Sequence, residues 1–280
     1  MTMDDPPSGR VSRTSLLPRP PDPEPFYARW LGLLDHLGMI SQLTGRTLRA
    51  MFKRPFEGRA IITQLESLGV KSLGIVVVTS VFIGMVMAVQ FAFGLRKFGG
   101  MEYTGRVVGL SFARELAPTL TAVIVGGRIG AGMAAEVGSM AVTEQIDALR
   151  ALGADPYKKL VLPRLLAAVM VMPVLAALAL VLGFTGAMLI TDFQFNIPSN
   201  FFLHSALGTV TMKDFVSGML KTPFFGAIIA LVGCHFGMIT RGGTEGVGNS
   251  TTRTVVVISI TILIADFFLT KISIILMPGM

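Results

Sequence analysis

Ionisable side chains within otherwise apolar stretches are the residues of this sequence whose types could carry chemistry. The clearest are Arg114, Glu115, Lys221 and Asp266, and Lys271 is a further candidate. An unpaired charge in an apolar environment is costly, so each of these groups is expected to have a partner of opposite sign. Ionisable groups inside membrane spans usually serve a function.

The order of these charges suggests how they pair. Arg114 and Glu115 are adjacent, so they point about 100° apart on a helix and cannot neutralise each other face to face. The signs predict that Arg114 pairs with Asp266 and that Glu115 pairs with Lys221. Such a network could be static and hold helices together, it could rearrange during transport, or it could relay protons.

Common catalytic motifs are missing from the sequence. Its three histidines are scattered, and it has no HExxH, cysteine cluster or Gly-x-Ser-x-Gly. The glycine-rich stretch 126–135 does not match the Gly-x-x-x-x-Gly-Lys-Ser/Thr pattern of a nucleotide loop, and its small residues favour close packing of helices. The sequence therefore predicts no catalytic residues and no metal site, and it predicts a packing role for its one cysteine, Cys234.

The elements that must position these charges are long apolar helices. Uncharged stretches of 24, 27 and 19 residues cover 72–95, 165–191 and 222–240, and about 20 apolar residues in a helix are enough to cross a bilayer. Two stretches interrupted by charges, 107–129 and 254–277, complete five predicted spans. The predicted fold class is an all-α integral membrane protein.

The residues before the first span differ in character from the rest. Residues 1–25 contain seven prolines and are predicted to be a disordered cytoplasmic tail. Residues 26–71 are predicted to hold an amphipathic helix on the membrane surface, because basic residues accompany apolar ones at helical spacing: Trp30, Leu33, Leu34, Leu37, Ile40 and Leu43. A helix packed on a soluble partner is the alternative. The transmembrane domain is then 72–280.

The distribution of positive charge predicts the orientation of the chain. Of the 24 lysines and arginines, 17 lie in the segments 1–71, 128–164 and 241–253. The positive-inside rule places these segments in the cytoplasm, with the N-terminus inside and the C-terminus outside. The same rule accounts for the net charge of +7 without a nucleic-acid partner.

A charged segment between the second and third spans, 134–153, is predicted to be a short amphipathic cytoplasmic helix. Gly153 predicts its C-terminal cap, and Pro156 prevents the helix from continuing. A helix with one apolar side can dock into a partner's groove, and a solvated connector is the alternative. The candidate docking residues are Glu136, Met140, Glu144, Asp147 and Arg150.

Several long motifs in this order resemble the MlaE/YrbE permease family. The stretches 111–122, 126–140 and 143–153 carry the resemblance, and Thr251-Thr-Arg-Thr-Val-Val with Asp266 matches the family's last span. The resemblance covers roughly residues 45–277. It implies the permease subunit of an ABC transporter that moves phospholipids between the inner and outer membranes, in lipid-asymmetry maintenance or lipid trafficking.

The resemblance also implies the partners. Two permease copies form a homodimer in the bacterial inner membrane, separate ATPase subunits bind on the cytoplasmic side, and a ring of MCE-domain protein lies on the periplasmic side. ATP is bound by the ATPase, and the permease itself binds no cofactor. The segment 134–153 corresponds to the helix that docks into the ATPase, and Arg114, Glu115, Lys221 and Asp266 match charged positions of the family.

A lipid-holding cavity between the two permeases is a further implication of the resemblance. By position, its candidate wall residues are Met87, Gln90, Phe91 and Leu95 on the first span, although the same residues would suit plain helix packing. An ion-coupled secondary transporter of a hydrophobic substrate is the alternative function, and a membrane-bound lipid enzyme is the third. The identity of the lipid and the direction of transport stay open.

Overall fold

The computed structural model describes residues 26–51 and 58–276, without the side chains of residues 26–37. Contacts divide the chain into residues 1–39 and 40–280, and the bundle of long apolar helices belongs to the second unit. The predicted tail and four side chains of the predicted surface helix lie outside the described part: Trp30, Leu33, Leu34 and Leu37.

Every regular element among the described residues is helical. The α-helices are α1 Phe26–Met51, α2 Gly58–Arg96, α3 Thr104–Ser111, α4 Thr121–Val142, α5 Gln145–Ala151, α6 Leu162–Phe195, α7 Ser199–Leu207, α8 Met212–Met238 and α9 Gly243–Leu276. A 3₁₀ turn, Met101–Tyr103, precedes α3, and two π-helical segments, Phe112–Leu120 and Tyr157–Val161, precede α4 and α6. The second predicted span is therefore built from α3, a π-helical segment and α4.

Five described helical segments are long and apolar enough to cross a membrane, which confirms the predicted number of spans. They are Gly58–Arg96, Met101–Val142, Tyr157–Phe195, Met212–Met238 and Gly243–Leu276. At 1.5 Å per residue, the 39 residues of α2 extend about 58 Å, against about 30 Å of bilayer hydrocarbon. The predicted domain boundary between residues 71 and 72 falls inside this helix.

The first and third spans, α2 and α6, form the most extensive helix pair. The buried residues of α2 recur at every fourth position, and all are small or aliphatic: Leu68, Ser72, Val76, Ser80, Gly84, Ala88 and Ala92. A side chain at Gly84 would overlap the carbonyl of Gly183, and one at Gly186 would overlap the carbonyl of Val81. The glycines thus let the two backbones approach closely, as small residues do in membrane proteins.

The glycine-rich start of α4 lies between α8 and α9. A side chain at Gly130 would overlap Ile258 of α9, and one at Gly126 would press against Ile229 of α8. Both isoleucines are fully buried. The interpretation of 126–135 as a close-packing stretch is therefore correct, and this packing brings α4, α8 and α9 together around the charged residues.

Candidate functional site

A π-helical segment, Phe112–Leu120, holds the first two intramembrane charges and contains Pro118. Proline has no N–H, so it cannot bond the carbonyl of Arg114 one turn earlier. The ammonium of Lys221, on α8, donates to that carbonyl at 3.3 Å. The backbone of α8 can come this close because Gly218 meets the carbonyl of Ala113 with no side chain between them. Wide helical turns of this kind are frequent at functional sites.

Lys221 is the centre of the ion network, and its side chain is only 2% exposed. Its Nζ donates to Glu115 Oε2 at 2.7 Å and to Asp266 Oδ1 at 3.1 Å. It also contacts the Thr270 hydroxyl at 2.7 Å, and that hydroxyl lies 3.1 Å from Glu115 Oε1. One buried cation therefore holds carboxylates from the second and fifth spans, and the proposed contact between Glu115 and Lys221 is present.

The predicted pair of Arg114 and Asp266 is wrong. Arg114 Nε donates to Asp214 Oδ1 at 2.7 Å, and its terminal nitrogen lies 2.5 Å from the same oxygen. Asp266 bonds Lys221 instead, because α8 lies against both the π-helical segment and α9 and offers a cation to each. Lys271, considered as a further intramembrane charge, is exposed and lies outside this network.

Asp214 is the residue of the network that the sequence reasoning missed. Its carboxylate accepts from the Thr211 backbone N–H at 2.8 Å, and its own backbone N–H donates to the Thr211 hydroxyl at 3.4 Å, which forms a capping box at the start of α8. The Thr211 hydroxyl also donates to the carboxylate at 2.7 Å. The Thr-x-x-Asp spacing was a visible signal for the cap. The same buried carboxylate also neutralises Arg114, so it joins the first turn of α8 to the second span.

The described network carries more negative than positive groups. Its cations are Arg114 and Lys221, and its anions are Glu115, Asp214 and Asp266. Lys221 and Asp214 are almost fully buried, whereas Arg114 and Glu115 are partly exposed. The arrangement can therefore hold three helices together, and it leaves the Glu115 carboxylate at its exposed edge.

The segment 134–153 contains two helices and not the single short helix that the sequence predicts. Its first half is the end of α4, and α5 covers only Gln145–Ala151. The break is at Glu144, which adopts a left-handed conformation with φ of 59°. Thus Glu136 and Met140 lie on the second span, while Asp147 and Arg150 lie on α5.

The end of α5 follows the prediction. Gly153 has φ of +75°, its N–H bonds the carbonyl of Arg150 at 3.0 Å, and the N–H of Ala154 bonds the carbonyl of Leu149 at 3.0 Å. This pair of bonds is a Schellman cap, for which glycine is the preferred residue. The cap fixes the direction in which the chain returns to α6.

Buried side chains hold α5 on the end of the bundle. Ile146 is buried in a cluster with Leu43, Val137, Leu160 and Cys234, and Met140 and Leu149 pack against the same cluster. Cys234 is fully buried there, as its predicted packing role requires. The last turns of α1 therefore share this end of the bundle with α4, α5, α8 and the π-helical segment that precedes α6.

The outer surface of α5 combines charge with an exposed apolar residue. Asp147 and Arg150 form an exposed ion pair at 2.7 Å, and Leu152 is 83% exposed beside them. Behind this surface, Arg164 at the start of α6 donates to Glu136 Oε2 at 3.0 Å and to the carbonyl of Leu160 at 2.9 Å. The α5 surface is thus attached to α4 through the cluster that Ile146 shares with Val137, and the Glu136–Arg164 pair joins α4 to α6.

The four candidate wall residues lie on one face of α2. Met87 and Phe91 are half-buried and pack against the cluster around Phe112, whereas Gln90 is exposed. Leu95 is half-buried near the end of the helix. A separate apolar cavity of about 430 Å³ has other walls, on α6, α7 and the start of α8.

Comparison with known proteins identifies the class to which this multi-pass membrane protein belongs. The family described as Permease MlaE matches residues 61–272. That match includes all five spans, the ion network and α5. The chain therefore belongs to the MlaE family of ABC transporter permeases, as its motifs predict.

Curated relatives cover most of the same region. A probable ABC transporter permease of Synechocystis is 39% identical over 227 residues, which are 81% of this chain and 86% of the relative. A probable ABC transporter permease of Rickettsia typhi is 38% identical over 235 residues, 84% of this chain and 91% of the relative. The Arabidopsis thaliana protein TRIGALACTOSYLDIACYLGLYCEROL 1, chloroplastic, is 39% identical over 242 residues, 86% of this chain and 68% of the relative.

Proposed function

We propose that this chain is the permease subunit of an ABC transporter that moves phospholipids between the inner and outer membranes. In this proposal two copies form a homodimer with a lipid-holding cavity between them, and a separate ATPase subunit binds and hydrolyses ATP. The chain itself carries out no chemical reaction and binds no cofactor. Its place is the bacterial inner membrane, with the N-terminus in the cytoplasm and the C-terminus in the periplasm.

Two features support a lipid as the substrate. The Arabidopsis relative carries the name of a glycerolipid in its own name, and this chain is an apolar bundle of five spans. The least buried spans are α2 and α9, which expose large apolar side chains along their lengths. A second copy together with lipid would cover such faces, including the face of α2 that bears Met87, Gln90, Phe91 and Leu95.

The α5 surface is the observation that carries the proposal of ATPase coupling. It is exposed and contains the ion pair of Asp147 with Arg150, and the buried side chain of Ile146 holds α5 on the bundle. Ile146 shares a buried cluster with Val137 of the second span, and the ion pair of Glu136 with Arg164 joins the second span to the third. A force applied to α5 by ATP-driven closure of a partner would therefore be passed to α4 and, through that ion pair, to α6.

The ion network is the proposed element that changes during transport. Lys221 bonds two carboxylates from different spans, so it can keep one partner while it releases the other. A buried cation that always retains a partner avoids the large cost of an unpaired charge. Exchange between Glu115 and Asp266 would let the second and fifth spans separate and rejoin while the cavity opens and closes.

An ion-coupled secondary transporter is the second candidate function, and the excess negative charge of the network favours it. Three carboxylates face two cations, so the group as a whole could accept a proton or a small cation. This candidate requires transport without an ATPase. A periplasmic ring of MCE-domain protein belongs only to the first candidate, in which it would receive lipid from the dimer.

The coupling proposal is tested by the double variant Glu144→Lys with Asp147→Lys, purified together with the ATPase of the same transporter. Both residues are exposed, so the variant should retain its fold and its homodimer and lose most of the bound ATPase. Glu102→Lys is the matched control, because Glu102 is an exposed acidic residue in the 3₁₀ turn between α2 and α3. Normal recovery of the ATPase with the double variant would rule out docking at α5.

A further inference from the structure

An apolar cavity of about 430 Å³ lies between α6, α7 and the start of α8, and only its Thr211 end borders the ion network. Its walls include Leu180, Phe184 and Met188 of α6, Leu203 of α7, and Phe215 of α8. Binding pockets for small molecules are usually about 300–1,000 Å³ and mainly apolar. The volume and lining of this cavity are therefore those of a ligand site.

The cavity is embedded in the part of the chain that lies in the membrane. Its α6 wall belongs to the uncharged stretch from Leu165 to Thr191, in the half of that helix that is farther from α5. Its mouth is bordered by exposed side chains of Val181, Leu207 and Met212. Since these apolar residues face outward at membrane depth, the mouth opens toward lipid.

One end of the cavity is polar. Thr211 lines it and donates to the carboxylate of Asp214, which also accepts from Arg114. Thr211 and Arg114 are therefore both hydrogen-bonded to Asp214. Lys213, between Thr211 and Asp214 in sequence, is exposed and has no carboxylate partner among the described residues. An exposed cation therefore directly follows two residues of the cavity wall, Thr211 and Met212, which suits an anionic phosphate joined to a hydrocarbon chain.

The length of the cavity decides between an acyl chain and a helix from a partner protein. Its wall on α6 extends from Leu180 to Met188, which is a rise of about 12 Å, less than half of the ~30 Å of bilayer hydrocarbon. A partner helix that crosses the membrane would pack along most of that thickness. A flexible acyl chain needs no such length, so it is the better fit.

We propose that this cavity holds an acyl chain of a phospholipid from the leaflet opposite α5, with its phosphate at Lys213. Each chain has its own copy of this site, which is separate from the cavity proposed between two copies. The site would retain a lipid at the side of the permease whether or not the dimer cavity is loaded. The proposal needs only that α6–α8 lie in the membrane, and it does not depend on ATP-driven transport.

The test uses the purified full-length chain and a phosphatidylglycerol with a photoreactive diazirine on one acyl chain. The protein is reconstituted in vesicles of phosphatidylethanolamine and phosphatidylglycerol that contain this probe, extracted in mild detergent and washed before irradiation. Only tightly held lipid then remains to react. Peptide mass spectrometry locates the label, which should appear on peptides that contain 180–188 and 203–215.

Two variants should remove this label from opposite walls. Thr185→Trp and Leu203→Trp each place a large ring in the cavity from an exposed position. Excluding even two methylene groups of the chain should weaken retention by about tenfold. Val174→Trp is the matched control, because Val174 is 67% exposed on the same face of α6, two turns from Val181 and outside the cavity.

The outcomes separate this proposal from the proposed transport function. Loss of label from 180–188 and 203–215 in both cavity variants, with normal label in Val174→Trp, supports the site. An unlabelled wild type, or equal labelling in all variants, overturns it. Label on the α2 peptide that contains Met87 and Phe91 reports on the dimer cavity, and it neither supports nor contradicts the site between α6, α7 and α8.

Lys213→Glu tests the position of the phosphate. This variant should retain less of the probe if the phosphate is held at Lys213, and an unchanged signal removes Lys213 from the proposal.

Discussion

The ion network and the α5 surface are both charged, but the protein holds their charges in opposite ways. Lys221 is almost completely buried and has two carboxylate partners, whereas Asp147 is 68% exposed and pairs only with Arg150. Removing one partner of a buried ion pair costs about 3–5 kcal/mol, while an exposed pair contributes about 0–1 kcal/mol. We therefore expect substitutions in the network to lower stability as well as the proposed transport, and substitutions on α5 to affect only the proposed coupling.

The largest expected effect on stability is that of Lys221→Met. It leaves Glu115 and Asp266 facing each other without their shared cation, and we expect the free energy of unfolding to fall by about 3–5 kcal/mol. Thermal unfolding in detergent measures the loss. Lys213→Met is the matched control on the same helix, since Lys213 is exposed and should contribute little. If the two variants unfold at the same temperature, the network does not hold the bundle together.

A double-mutant cycle tests whether Arg114 pairs with Asp214 or with Asp266. Arg114→Met and Asp214→Asn should show a coupling energy of about 1–3 kcal/mol, because the two groups are in direct contact. The same cycle with Arg114→Met and Asp266→Asn should give less than about 0.5 kcal/mol, because Asp266 bonds Lys221 instead. A larger value for the second cycle would restore the pair predicted from the sequence.

Asp266→Ala separates the structural role of the network from its role in transport. Glu115 still neutralises Lys221 in this variant, so the free energy of unfolding should fall by only about 1–2 kcal/mol. Lipid transport should fall far more than the amount of folded protein, because the exchange of partners is no longer available. Wild-type transport by this variant would leave the network with a structural role only.

The smallest effect on stability is expected at α5. Asp147→Ala removes one partner of an exposed ion pair, so the free energy of unfolding should change by less than about 0.5 kcal/mol. Recovery of the ATPase during purification should nevertheless decrease, since this carboxylate lies on the proposed docking surface. A stability loss comparable to that of Lys221→Met would show that α5 is part of the core, and the contrast between the two regions would be lost.

The sequence was sufficient for the parts of the fold that depend on hydrophobicity and charge sign. Long uncharged stretches predict the spans because the hydrocarbon core of a bilayer favours apolar helices about 20 residues long. The contact of Glu115 with Lys221 followed from the opposite signs of two charges in different spans. Gly153 was recognisable as a cap because only glycine adopts positive φ at low cost.

The parts that could not be predicted depend on helix packing and on local backbone geometry. Asp214 was overlooked because it lies at the start of α8, outside the uncharged stretch 222–240 from which the fourth span is predicted. The break at Glu144 was hidden because a glutamate is an uncommon residue in the left-handed region. Pro118 carried no prediction, and only the packing of α8 shows that Lys221 bonds the freed carbonyl.

The most direct test of the proposed function is phospholipid movement in vesicles that contain this chain, with and without the ATPase of the same transporter. Wild type should move lipid only when both the ATPase and ATP are present, and the Glu144→Lys, Asp147→Lys variant should move little under the same conditions. Movement by wild type without the ATPase, driven by an ion gradient, would contradict an ATP-powered permease and support the ion-coupled alternative.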